Sequence, residues 1–204
     1  MLGAGGKGGY RPRADLPEAI PLTANLPLPH LTLVIGGARS GKTALAERLV
    51  RSTGLAPTVI VTAEIRDAEM QARVEAHRLA RGQGWDLVEA PQDLPKALGH
   101  LKSGGAVLID CITLWLSNRM LADADLAVEV EALADALQSA PGPVVVVTNE
   151  VGLSIVPENA LARRFRDEQG RVNQRLAQQA DLVLGVMAGL PFALKGPLPA
   201  GLVP

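Results

Sequence analysis

Eight residues constrain this chain more than any others. Gly36-Gly37-Ala38-Arg39-Ser40-Gly41-Lys42-Thr43 match G-x-x-x-x-G-K-[ST]. The apolar, β-rich run 31–35 precedes them. A helical pattern over 44–53 follows, with Leu45, Leu49 and Val50 on one face and Gly54 as its stop. Strand, glycine loop and helix in that order turn successive backbone N–H groups inward and aim a helix N-terminus at the enclosed space, which suits a phosphate. Lys42 is expected to reach the β- and γ-phosphates, and Thr43 to ligate Mg²⁺. The motif predicts nucleoside triphosphate binding and is silent on the second substrate.

The rest of the chain repeats this alternation. Short apolar runs at 58–62, 106–109, 144–148 and 182–187 read as strands, and the spacing predicts helices over 67–81, 94–101, 112–121, 126–137 and 159–180. Asp67 is placed to cap the first of these helices. Continuous apolar strands separated by helices predict an α/β fold: a single-domain P-loop NTPase-like architecture, a mostly parallel sheet with helices on both faces, over residues 31–188. Residues 1–30, with Pro12, Pro17, Pro21, Pro27 and Pro29 and a glycine cluster, read as an irregular leader. Residues 189–204 read as an irregular C-terminal tail.

Composition removes several function classes. A formal net charge of −1 gives no general pull on nucleic acid or anionic lipid. Two Trp, one Tyr and two Phe are too few for a base-stacking surface. The strongest apolar stretch, around 144–147, is far short of the ~20 residues of a membrane span, and the N-terminus does not read as a secretory signal. The single Cys111 excludes disulfide frameworks and cysteine-rich zinc sites, is expected to be a small buried residue, and fits a reducing compartment such as the cytoplasm.

Two further features carry chemistry. Asp110 ends the strand 106–109, where a Mg²⁺-organising acid sits in such folds; capping the next helix is the alternative. On the 67–81 helix, Glu69, Arg73, His77 and Arg81 recur every four residues and share a face, with Met70, Ala72 and Val74 read as the opposite, packing side. Histidine can attack phosphorus while guanidinium groups hold the charge developing on its oxygens. A solvated face with ordinary Glu–Arg pairs is the other reading. His30 and His100 lack such a setting and are taken as surface residues.

Several segments in order resemble one family. They are the phosphate loop, Glu69–Val74 leading to His77, then Trp85 and Glu89. Asp110–Thr113, Val147–Gly152, Ile155–Asn159, Phe165–Asp167 and Gly170–Leu176 complete the set. The chain resembles, from about 33 to 195, the bifunctional adenosylcobinamide kinase/adenosylcobinamide-phosphate guanylyltransferases of cobalamin biosynthesis. The resemblance implies a nucleoside triphosphate, ATP or GTP, phosphorylating adenosylcobinamide. GTP then donates GMP to that phosphate through a guanylylated histidine, giving adenosylcobinamide-GDP and pyrophosphate. By position the histidine is His77. The implied nucleotide contacts are Gly36–Thr43, Thr62-Ala63-Glu64, Arg78-Leu79-Ala80-Arg81, Glu89 and Asp110, with Thr43 and Asp110 toward the metal. The resemblance also implies a homotrimer.

Arg73 and Arg81 are spaced to serve a phosphoramidate at His77, and Glu64 or Glu89 could accept hydrogen bonds from guanine N–H groups. Asn149, Glu150, Glu158, Asn159, Arg163, Arg164 and Arg166 are candidates to hold the corrinoid or a second phosphate, with capping and surface pairing as alternatives. Departures from the family pattern are Gly82 after Arg81, Ala76 before His77, Asp110 for Glu and Thr43 for Ser; none removes a required group. Another small-metabolite P-loop kinase would share the loop but not need His77. A GTP switch is disfavoured, because Thr113 breaks Asp-x-x-Gly and Thr148-Asn149-Glu150-Val151 lacks the guanine signature.

Overall fold

A computed structural model describes residues 27–202. In chain order the elements are β1 (Leu31–Gly36), α1 (Lys42–Ser52), β2 (Ala56–Val61), α2 (Ala68–Arg81), β3 (Asp86–Glu89), α3 (Leu94–Gly99) and β4 (Gly105–Asp110). They continue with α4 (Ile112–Leu121), α5 (Leu126–Gln138), β5 (Val144–Asn149), α6 (Ala160–Gln179), β6 (Leu182–Met187) and β7 (Leu190–Lys195). One seven-stranded sheet has the order β3-β2-β4-β5-β1-β6-β7. Every pairing is parallel except β6 with β7.

The central strands are apolar on both faces because both faces are covered. Leu31 and Leu33 of β1 and Val144 and Val146 of β5 pack with Leu98, Trp115, Leu133 and Leu176 of α3, α4, α5 and α6. Val34, Val145 and Val147 point the other way, onto Leu45, Leu49 and Val50 of α1 and onto Leu202. Among the described side chains, α2 contributes none to either cluster. Its attachment to the body is polar, which matters for the site.

Three expectations are corrected. Residues 189–204 are not all irregular: 190–195 form the antiparallel edge strand β7. Ala188 and Gly189 both have positive φ (52° and 83°), as a two-residue hairpin turn needs, and alanine there hides the turn from sequence reading. Pro191 is tolerated because an edge strand leaves one row of backbone groups unpaired. The strand β3 was not expected; it is four residues long and pairs only with β2. Finally, Met70 and Val74 do not oppose His77. Met70, Val74, His77 and Arg81 form the less exposed side of α2, since seven residues return to within about 20° of the starting direction.

Asp67 caps α2 by accepting from Met70 N at 2.7 Å, and Asn159 caps α6 by accepting from Ala162 N at 3.1 Å. Residues 1–26 of the expected leader lie outside the described residues. His30 is half-buried, its Nε2 in contact with Leu137 O and Gln138 O; His100 is exposed.

Candidate active site at the phosphate loop

The loop is held by backbone bonds to its neighbours as well as by one of its own side chains, Lys42. Ser40 N donates to Gly37 O, and Leu45 N to Gly41 O opens α1. Glu150 N donates to Gly36 O and Gly189 N to Ser40 O, tying the loop to the end of β5 and to the β6–β7 turn. Two glycines are required. A Cβ on Gly36 would lie 2.5 Å from Val186 O, and Gly41 caps α1 at φ 98°. Lys42 Nζ donates to Gly37 O at 2.9 Å, so its ammonium lies across the curve of the loop. Ser40 Oγ is buried with no protein partner, a polar atom suited to a phosphate oxygen.

Asp110 stands at the carboxyl end of β4, separated in the sheet by β5 from β1, the strand that leads into the loop. The N-cap of α4 is Cys111, so Asp110 does not cap that helix. Arg81, 9% exposed, donates from Nε to Glu47 Oε1 at 3.0 Å and reaches Asp110 Oδ2 at 3.5 Å. Glu47 sits on α1, one turn beyond Thr43. Burial pushes the Glu47 carboxyl up, the Arg81 hydrogen bond and charge pull it back, and the nearby Asp110 charge adds to the rise. Sequence reasoning missed Glu47. The usable signal was an acid on α1 four residues after Thr43, facing a helix rich in cations. Arg81 thus joins α2 to α1 and to the end of β4 through charge. The side chains of Glu69 and Arg73 lie outside the described residues.

The remaining candidates are placed as follows. Thr62 is buried and structural: its hydroxyl donates to Cys111 O and accepts from Cys111 N. Ala63 follows it at the end of β2, half-buried. Glu64 accepts from Arg66, and also from Gln92, which hold its carboxyl below the usual range. Glu89 is exposed on β3 and lines a separate cavity of about 420 Å³ with Gln92, Asp93, Lys96 and His100. Arg78 pairs with Glu75, and Leu79 and Ala80 are exposed. Arg163 donates to Pro157 O and Glu158 O, and Arg166 pairs with Asp167.

The segment 169–173 has a positioning role. Gln169 Nε2 donates to Thr148 Oγ1 and Asn173 Oδ1, Thr148 Oγ1 donates to Asn173 Oδ1, and Asn173 Nδ2 donates to Asn149 O. This buried amide network fixes the end of β5, from which Glu150 N reaches the loop.

Residues 32–194 match the family described as cobinamide kinase / cobinamide phosphate guanyltransferase. The chain belongs to this family. It is 44% identical, over 80% of its length and 96% of the relative's, to the bifunctional adenosylcobalamin biosynthesis protein CobP of Pseudomonas aeruginosa. It is 41% identical, over 81% of its length and 99% of the relative's, to the bifunctional adenosylcobalamin biosynthesis protein CobU of Salmonella typhimurium. The fold also resembles that of the flagellar accessory protein FlaH from Methanocaldococcus jannaschii. There the TM-score is 0.51 at 13% identity, covering 86% of this chain and 80% of that one. This cobinamide kinase/guanylyltransferase family member is therefore an enzyme of cobalamin biosynthesis on a single P-loop NTPase-like α/β domain.

Proposed function

We propose that this chain performs both family reactions around its one phosphate loop, with His77 as the guanylyl carrier. In the kinase step, the hydroxyl oxygen of adenosylcobinamide attacks the γ-phosphorus of ATP or GTP. The bond to the β,γ-bridging oxygen breaks, the nucleoside diphosphate leaves, and the hydroxyl proton passes to solvent. Gly36–Thr43 cradle the phosphates, and Lys42 neutralises charge on the β- and γ-oxygens. In the transfer step, a His77 ring nitrogen attacks the α-phosphorus of GTP and pyrophosphate leaves. An oxygen of adenosylcobinamide phosphate then displaces the imidazole, giving adenosylcobinamide-GDP.

The observation that supports this reading is the Arg81 bridge, with Glu47 of α1 on one side and Asp110 of β4 on the other. It links the helix of His77 to the loop. Glu64 and Glu89 are the proposed acceptors for guanine N–H groups. Thr43 and Asp110 fit Mg²⁺: a hydroxyl and a carboxylate are a hard, all-oxygen donor set, the remainder coming from phosphate and water. Bound there, the ion would offset charge on the phosphate oxygens. Among the described residues no helix is long and apolar enough to cross a membrane. A cytoplasmic homotrimer is the proposed working state, and light scattering on the purified chain reads the assembly.

The test is labelling with GTP carrying a marked α-phosphate. Wild type is expected to take up an acid-labile, base-stable label, and His77→Ala to take up none. Equal labelling of both chains would remove His77 from the mechanism.

A further inference from the structure

The phosphate loop has a second flank, and none of the proposed catalytic groups lies on it. Between the β5–α6 loop and the β6–β7 hairpin runs an open cleft of about 620 Å³ whose floor is Gly36–Ser40. Its walls are mainly apolar, with Leu153, Val186, Met187, Phe192 and Leu194, and carry Arg39, Glu150 and Ser154 as polar groups. Several wall residues face solvent to a degree unusual for their type: Leu153 is 88% exposed, Met187 66% and Leu194 60%. Both walls are hydrogen-bonded to the loop itself, through Glu150 N to Gly36 O and Gly189 N to Ser40 O.

The Phe192 ring has a built support. It lies over Gly185 of β6, where a Cβ would overlap three ring atoms, and Gly185 and Phe192 are directly paired across the strands. The ring thus rests on Gly185, and the side chain remains partly open to the cleft. β7 is also the sheet's edge strand, with a row of backbone N–H and C=O groups directed away from β6.

We infer that this cleft holds the corrin macrocycle of the acceptor, with Phe192 as its platform and the edge of β7 as partner for its amide arms. The inference rests on the cobinamide reading above. A flat ring with an apolar rim needs a broad open apolar wall rather than a closed pocket. Its primary amides need both donors and acceptors, which a strand edge supplies. Its hydroxyl must come to a γ-phosphate at the loop, and this cleft has the loop as its floor.

The experiment compares steady-state kinase kinetics and assembly mass for wild type, Phe192→Ala, Phe192→Tyr and Leu153→Ser. Phosphorylation of cobinamide by wild type is the control: without it, the cobinamide reading itself fails. With it, Phe192→Ala and Leu153→Ser are expected to raise KM for cobinamide about tenfold, the loss of one well-packed apolar contact, while KM for the nucleotide and assembly mass stay at wild-type values. Phe192→Tyr is expected to restore KM to within about twofold, since the ring face is kept. Unchanged KM for cobinamide in Phe192→Ala would overturn the inference. So would a fall in assembly mass with both KM values rising together, which would make this face an interface between copies.

Discussion

Arg81 sets the electrostatics of the site. It is almost fully buried, and its two partners are the carboxylates of α1 and β4. Removing one member of such a set leaves charge without compensation in a poorly solvated place. Arg81→Ala is therefore expected to lower stability by about 2–4 kcal/mol, read from urea denaturation. Arg81→Lys should recover only part of it, because an ammonium cannot span both carboxylates as a fork does. Cys111 makes a different point. Burial first, and the charge of Asp110 second, push its thiol from 9.0 to about 11. Below pH 9 folded and unfolded chains both keep the proton, so the thiol contributes nothing to pH dependence there. Between pH 9 and about 11 the unfolded chain loses the proton first, so this group's contribution to stability falls as pH rises. At pH 8 iodoacetamide should leave the folded chain unmodified and alkylate it in urea.

Helices and strands were legible where their periodicity was strong. The 67–81 pattern and its Asp67 cap correspond to α2, and five of the six parallel strands lie where apolar runs stood, β3 being the exception. The failures are local and physical. β7 alternates solvent-facing leucines with Pro191 and follows a turn built on Ala188, so neither its pattern nor its turn chemistry announces a strand. Ala188→Gly removes the left-handed strain of a Cβ and should raise stability by about 1 kcal/mol, or Tm by about 2–4 °C. The same substitution should leave the Gly189–Ser40 hydrogen bond intact, since it uses backbone atoms. Asn173 stands in the segment Gly170–Leu176 that resembles the family, whereas Gln169 lies just before it. Their task, pinning the end of β5 beneath the loop, depends on a strand twenty-odd residues away.

Two apolar layers on one sheet leave the carboxyl ends of β1, β4 and β5 to assemble the phosphate site, as parallel sheets do. α2 lies outside both layers and is joined to α1 and β4 by the Arg81 ion pairs, so in the proposed mechanism the position of His77 would depend on Glu47, Arg81 and Asp110. A nucleotide binding only the folded chain stabilises it by mass action. GTP at about 100 times its Kd should add about 2.7 kcal/mol and raise Tm by about 5–10 °C in differential scanning fluorimetry. Lys42→Ala should lose most of that shift, because the loop then lacks the cation that offsets β- and γ-phosphate charge.

The order of residues alone determined the phosphate loop, the alternation of strand and helix, the family and the candidate histidine. Each of these is written in contiguous residues or fixed periods. The tertiary structure decided what no local pattern contains. It gave Arg81 to Glu47 and Asp110, placed Glu64 and Glu89 away from the loop's apolar cleft, and seated Phe192 on Gly185 beside Gly36–Ser40. Those relations depend on which strands become neighbours. That is set by closing two cores over one sheet, and it brings together residues as distant in sequence as 40 and 189.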